Sequence, residues 1–145
     1  MTVSNRRQLQ ILKALVKDYY ALPYQFHIEK HLELLRLFKI IGKQKDNHPH
    51  RDVLVYISRK SLKHFVESRK FDLNKRHNDQ KTLEMMHFAI ESTEDTIEDF
   101  DIYNQEIGNK FSYTRRCNNL RNRSIRIILE SVREHLEIVS IHFTK

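Results

Sequence analysis

Two histidines stand where they could move protons in a reaction on a phosphodiester. His64 falls off the apolar stripe of its predicted helix, and His142 alternates with Ser140 and Thr144, so those three would share one face of a strand. Free imidazole titrates near pH ~6.5, which suits acid–base work. RNA cleavage by 2′-hydroxyl attack needs a base, an acid and groups that hold the phosphate. The spacing therefore predicts proton transfer by His64 and His142, with Ser140 and Thr144 orienting the scissile group. The alternative for each histidine is an ordinary surface position.

Fixed positive charge for the phosphate is concentrated in the C-terminal third. Residues 110–126 contain no acidic residue, and their cations are Lys110, Arg115, Arg116, Arg121, Arg123 and Arg126. An arginine guanidinium is planar and can hold two phosphate oxygens at once. We expect Arg115, Arg116 and Arg126 to bind phosphate. Tyr113 alternates with small hydroxyl residues beside them and is predicted to stack on an unpaired base, with core packing as the alternative.

Other chemistries find less support in the sequence. His27 and His31 are four apart, but the glutamate between them, Glu29, is one position too late for the zinc-protease arrangement. His48 and His50 form a loop pair that is a similarly weak candidate for binding a metal. With only two glycines, the chain has no glycine-rich loop to cradle a nucleotide phosphate. We therefore expect neither a metal site nor a cofactor.

Composition narrows the choice of partner. The formal net charge is +7, and the positive charges are clustered, which favours nucleic acid, RNA above all, as the partner. The single cysteine, Cys117, cannot form an internal disulfide, which fits a reducing compartment. No apolar run is long enough to cross a membrane, and the polar N-terminus is unlike a secretory signal. We expect a cytoplasmic protein with no membrane partner.

Helices are predicted for the first half of the chain, around one short strand. Apolar spacing of three and four predicts amphipathic helices at residues 5–21 and 29–41, the second ending at Gly42. The β-branched run at residues 52–58 predicts a buried strand. A helix capped by Ser58 or Ser61 follows, and another begins at Thr82.

The predicted fold class depends on the secondary structure of the last third of the chain. Residues 111–116 and 138–143 are dense in β-branched and aromatic side chains and predict strands. Residues 124–132 fit a strand or a helix, because a short apolar run cannot be assigned by period alone. Three strands joined by Asn118–Asn122 and Arg133–Glu137 would give an α+β fold, with helices on one face of a small antiparallel sheet. If residues 124–139 form one helix, the protein is instead all-α.

An acidic segment at residues 84–106, without lysine or arginine, directly precedes the basic stretch. A solvated face is the ordinary interpretation of such a run. Two alternatives are an intramolecular partner for the arginines and a docking surface for a basic protein partner.

The pattern from Val53 onward resembles the barnase–EndoU–colicin–RelE group of small metal-independent ribonucleases, especially versions from phage and mobile elements. The matching features are the strand DVLVYIS, the helix SLKHFVESR, a second helical region and C-terminal strands ending IVSIHFTK. In that group a helix-borne His or Arg faces polar residues on a small sheet. The resemblance implies a site formed by His64 and Arg69 with Tyr113, Arg115, Ser140, His142 or Thr144. It also implies a ribonuclease-like core at 52–145, while the helical region at 1–42 lies outside the match and would be an added cap, a hairpin or a partner-binding piece. The length of 145 residues fits one domain over residues 1–145.

Two functional hypotheses follow from these patterns. The first is a protein that cleaves or binds RNA without metal, an endoribonuclease of the small toxin type. The second is a non-catalytic, mostly helical adaptor or nucleic-acid-binding protein, which uses the same arginines but needs no histidine geometry.

Overall fold

The computed structural model describes residues 3–21, 33–117 and 123–144, which form four helices and a six-stranded sheet. The helices are α1 Val3–Ala21, α2 Arg59–Leu73, α3 Asp79–Glu91 and α4 Thr93–Glu98. The strands are β1 Leu34–Lys39, β2 Leu54–Ser58, β3 Ile102–Gln105, β4 Lys110–Cys117, β5 Arg123–Val132 and β6 His135–Thr144. The fold is α+β, so the expected class is confirmed and the all-α alternative is wrong.

The sheet is mixed, with strand order β1-β2-β6-β5-β4-β3. Four of its strand pairs are antiparallel, whereas β2 and β6 run parallel, with Leu54 opposite His135 and Ile57 opposite Ile138. A parallel pair needs a long crossover between its strands. The helices α2 to α4 and the strands β3 to β5 all lie within this crossover, which places β6 in the interior of the sheet.

A β-bulge in β6 controls which of its side chains face the core. Ile128 of β5 pairs with Ser140 and Leu129 pairs with Ile138, which leaves Val139 as an extra residue. Ile138 and Ile141 are therefore both buried although they are three residues apart. Because the alternation restarts after the bulge, Ser140 points away from the core rather than sharing the face of Ile138.

The core lies between the helices and one face of the sheet. Ile125, Ile127 and Leu129 of β5 are fully buried and pack in one apolar cluster with side chains of all four helices. Residues of α1 and β1 belong to the same cluster, so this part of the N-terminal region packs against the rest of the fold. The hydroxyl of Ser58 accepts a hydrogen bond from the Ser61 amide at 3.0 Å, which makes Ser58 the N-cap of α2.

The predicted second helix is wrong where the structure describes it. Residues 34–39 form the edge strand β1, and residues 29–32 lie outside the described part of the chain. A register shift between Arg36 and Phe38 buries both Leu37 and Phe38. This irregularity breaks the two-residue alternation of a strand and gives the apolar residues a spacing like that of a helix.

The ends of some elements also differ from the predicted ends by a few residues. The helix expected from Thr82 begins three residues earlier, at Asp79, with Asn78 as its N-cap. Val132 pairs with His135, so the β5–β6 turn holds only Arg133 and Glu134 rather than five residues. The other expected connector, residues 118–122, lies outside the described part of the chain. Within the described ranges, no helix combines the length and apolarity that a bilayer crossing requires.

Candidate active site

Helix α2 lies beside the second half of β6. Strand β2 pairs with β6 only as far as Ile138, and the chain then turns at Ser58 into α2, which contacts β6. The helix therefore brings its side chains to the part of β6 that carries Ser140 and His142.

His142 is the centre of the site. Its Nδ1 atom lies 3.4 Å from Nη1 of Arg69 on α2, and its Nε2 atom lies 2.8 Å from Oγ of Ser140. Arginine can only donate, so Nδ1 is the acceptor, and a neutral imidazole then carries its proton on Nε2 and donates it to Ser140. Burial lowers the pKa of His142, and the nearby guanidinium groups of Arg69 and Arg126 lower it further.

Arg69 approaches His142 from the inward side of α2. Its side chain is only 14% exposed, and its Nη2 atom forms an ion pair with Asp72 Oδ2 at 3.3 Å. The Nε atom of Arg69 is buried and has no hydrogen-bond partner among the described residues. A buried donor without a partner is uncommon in native proteins. Because the Nε atom is closed to solvent, an incoming oxyanion would have to contact the terminal Nη atoms of the guanidinium.

The sheet face that carries His142 is polar. We call it the polar sheet face; its residues are Thr114, Arg116, Ser124, Arg126, Ser140, His142 and Thr144. Directly opposed residues of antiparallel strands share a face, and the register pairs Arg126 with His142 and Ser124 with both Thr144 and Arg116. Arg126 also forms an ion pair with Glu106. The expected sharing of one face by Ser140, His142 and Thr144 is thus observed, together with Arg116 and Arg126.

Two predicted site residues lie on the opposite face of the sheet. Arg115 pairs with Ile125 in the register and forms ion pairs with Asp99 at 3.6 Å and Asp95 at 3.9 Å, both near α4. Tyr113 is fully buried, so no base can reach its ring in this arrangement. The structure therefore does not bring Arg115 and Tyr113 together with His142.

His64 lies near the site but does not contact His142 in the structure. It is exposed on α2, where its Nε2 atom is 3.4 Å from Oγ of Ser68. Repulsion from His64 is the smallest of the causes that lower the pKa of His142. His64 also lines a cleft beside the site, between α2 and the strands β5 and β6.

Much of the acidic segment 84–106 is engaged within the chain itself. The buried carboxylate of Glu98 accepts hydrogen bonds from the amides of Ile41 at 2.7 Å and Gly42 at 3.0 Å. Glu106 pairs with Arg126, and an Asp101 oxygen accepts from the Arg116 amide at 2.8 Å. Of the interpretations offered for this segment, the alternative of an intramolecular partner for the arginines is observed at Arg115 and Arg126.

Sequence reasoning missed one carboxylate of the site, Asp72, and did not single out Glu106 within the acidic segment. Asp72 stands three residues after Arg69 on one helix, and that spacing by itself could have predicted the ion pair. Glu106 reaches Arg126 from the β3–β4 connection, a contact for which the sequence gives no local signal.

The loop histidines have structural contacts. His48 Nε2 lies 2.7 Å from the carbonyl oxygen of Ile97, and His50 Nδ1 lies 2.6 Å from the Tyr113 hydroxyl, so both tie the β1–β2 loop to the core. Over residues 3–21, 33–117 and 123–144, no three His, Cys, Asp or Glu side chains are grouped so that they could share a metal ion. His27 and His31 lie outside those ranges.

Comparison with known protein families, with curated proteins and with solved structures gave no match to this chain.

Proposed function

We propose that this chain is a metal-independent endoribonuclease whose active site is the Arg69–His142–Ser140 group on the polar sheet face. The observation that carries the proposal is the position of His142. Its imidazole is half-buried, bonded to Ser140 and flanked by two arginines that keep it neutral. A neutral imidazole beside fixed positive charge combines a proton acceptor with a phosphate-binding group.

The reaction follows from these roles. The scissile phosphate binds the guanidinium of Arg69, which moves away from Nδ1 of His142 and leaves its lone pair free. Nδ1 accepts the proton of the 2′-hydroxyl as that oxygen attacks phosphorus. The bond from phosphorus to the 5′-oxygen breaks, and His64 donates a proton to the leaving oxygen. The products are a 2′,3′-cyclic phosphate and a 5′-hydroxyl end.

The remaining residues stabilise charge and orientation. Arg126, directly opposite His142, and Arg116 extend the positive surface along the polar sheet face for the phosphates of the RNA strand. Ser140 holds the imidazole ring in place, and Thr144 donates to a phosphate oxygen. The half-buried thiol of the single cysteine, Cys117, suits a reducing compartment, and we place the activity in the cytoplasm.

Cleavage of a mixed-sequence RNA in the presence of EDTA tests the proposal. We expect wild type to cleave and His142→Ala to lose about 100-fold or more in rate, the range for loss of a general base. Arg69→Gln should lose a similar factor. The matched control is Arg115→Gln, the same substitution on the opposite sheet face, which should cleave like wild type.

Two results would contradict the proposal. His142→Ala cleaving at the wild-type rate would remove the assigned base. RNA binding without cleavage by wild type, weakened in Arg126→Gln but not in Arg115→Gln, would establish instead a non-catalytic nucleic-acid-binding protein that uses the same face.

A further inference from the structure

A cleft of about 320 Å³ opens next to the Arg69–His142 site. Ser61 and His64 of α2 line one side, Glu130 of β5 and Glu137 of β6 line the other, and the bulge residue Val139 lies between them. The proposed reaction gives no role to Glu130 and Glu137, which form the acidic side of the cleft.

The two carboxylates of the cleft stand side by side. Glu130 and Glu137 are directly opposed in the antiparallel register, so their side chains share one face. Glu137 contacts Nε2 of His135 at 3.1 Å, and Glu130 accepts a long hydrogen bond from Asn109 at 3.4 Å. Each contact uses one oxygen, while an ionised carboxylate offers acceptor sites on both. The pair can therefore accept further hydrogen bonds from a ligand rich in N–H donors.

The charge of the cleft disfavours phosphate on the side of the strands. The opposed carboxylates of Glu130 and Glu137 repel an anion there, and the cation that lines the cleft, Lys60, lies on α2. The arginines that attract phosphate lie on the other side of Val139. The surface is thus divided into a cationic part that suits the backbone of RNA and an acidic part that suits the donor edge of a base.

The distance between the cationic part and the acidic part of this surface matches the length of one nucleotide. Val139 lines the cleft and is followed directly by Ser140, whose hydroxyl contacts His142. The three residue steps from Val139 to His142 span at most roughly 10 Å, since the bulge shortens the rise of the strand at Val139. A nucleotide whose phosphate lies at Arg69 can place its base in the cleft.

Resting on the proposed function, we infer that this cleft is a base-binding subsite for a nucleobase with an exocyclic amino group, and that it rejects uracil. Adenine, cytosine and guanine each present an amino group that donates to a carboxylate, as the N4 amino group of cytosine donates to Glu in base recognition. Uracil presents carbonyl oxygens on both sides of its one N–H group, and these would face the carboxylates of Glu130 and Glu137.

Cleavage of oligoribonucleotides that differ at a single position tests the preference. We expect wild type to cleave beside cytidine about 10-fold or more faster than beside uridine, since one good base contact discriminates by that order. In Glu137→Gln and Glu130→Gln the ratio of the cleavage rate beside cytidine to that beside uridine should fall towards one. Glu134→Gln, an exposed glutamate in the adjacent turn, is the matched control and should keep the wild-type preference.

Nucleoside binding separates this inference from the proposed function. In NMR titrations of the His142→Ala protein, cytidine should shift the amide signals of Val139 and Glu137 saturably, whereas uridine should not. That result would support the base site whether or not wild type cleaves RNA; if wild type cleaves none, only the nuclease proposal is overturned. Cleavage that depends on His142 but shows equal rates beside cytidine and uridine would overturn the base site and leave the nuclease proposal intact.

Discussion

Nη1 of Arg69 lies 3.4 Å from Nδ1 of His142, and this contact joins a helix to a strand across 73 residues of sequence. The guanidinium is always charged, so an imidazole that accepts from it is held in its neutral form. The contact therefore sets the protonation state of the residue to which we assign the proton transfer.

Removing the charge of Arg69 should raise the pKa of His142. Burial is the larger cause of the lowered pKa, so in Arg69→Gln we expect a rise that remains below the ordinary histidine value. NMR titration of the imidazole signals measures it directly. Lys63→Gln removes one positive charge from the same helix, at a side chain that pairs with Glu67, and is the matched control. Identical titration of His142 in both variants would contradict this electrostatic role.

Glu98 should be a stability residue of the β1–β2 loop. Its buried carboxylate accepts from the amides of Ile41 and Gly42, and Glu98→Ala leaves these donors unpaired. We expect a loss of about 1–3 kcal/mol in the free energy of unfolding, the cost of unsatisfied buried groups. Urea denaturation measures it. Asp95→Ala, at a carboxylate 75% exposed, should change stability by less than about 0.5 kcal/mol; equal losses would refute the assignment.

Stability should fall as the solution becomes acidic. Burial lowers the pKa values of His50, His87 and His142, so the unfolded chain binds protons more readily than the folded protein. Their contribution to stability is complete above pH ~6.5 and is lost as the pH falls through the lowered folded values. The melting temperature should therefore be lower at pH 5 than at pH 7.5.

The variant His50→Phe isolates one part of this pH dependence. The ring of His50 stacks on Phe111 with centroids 4.2 Å apart, and phenylalanine keeps a ring there while removing the titration. Its melting temperature should change less between the two pH values than that of wild type. A pH dependence as steep as that of wild type would show that His50 does not contribute.

The sequence predicted the elements whose signals are local. Alternating β-branched residues gave β4 and β6, apolar spacing gave α1, and Ser58 was one of two expected caps of α2. The apolar pattern of residues 124–132 fits a strand or a helix, and in the structure they form a strand, in which Ile125, Ile127 and Leu129 alternate into the core. The common face of Ser140 and His142 followed from period two alone.

Contacts between distant segments could not be predicted in the same way. Tyr113 and Arg115 do share one face, as alternation requires, but which face of β4 meets the core depends on the packing of the helices. The partner of His142 on α2 depends on the parallel pairing of β2 with β6, for which neither strand carries a local signal. Strand β1 was missed because its bulge imitates helical spacing.

The parallel pairing of β2 with β6 has a consequence for the order of folding. Leu54 must find His135, roughly 80 residues later, and the entropy of closing such a loop slows this step relative to the neighbouring hairpins. The meander β3–β4–β5–β6 and the hairpin β1–β2 can each form from adjacent segments. We expect the pairing of β2 with β6, which joins the two, to form last. Until then the apolar strand β2 has an open edge, which exposes the chain to aggregation. The site forms at the same late step, because α2 reaches His142 only when β2 has joined β6.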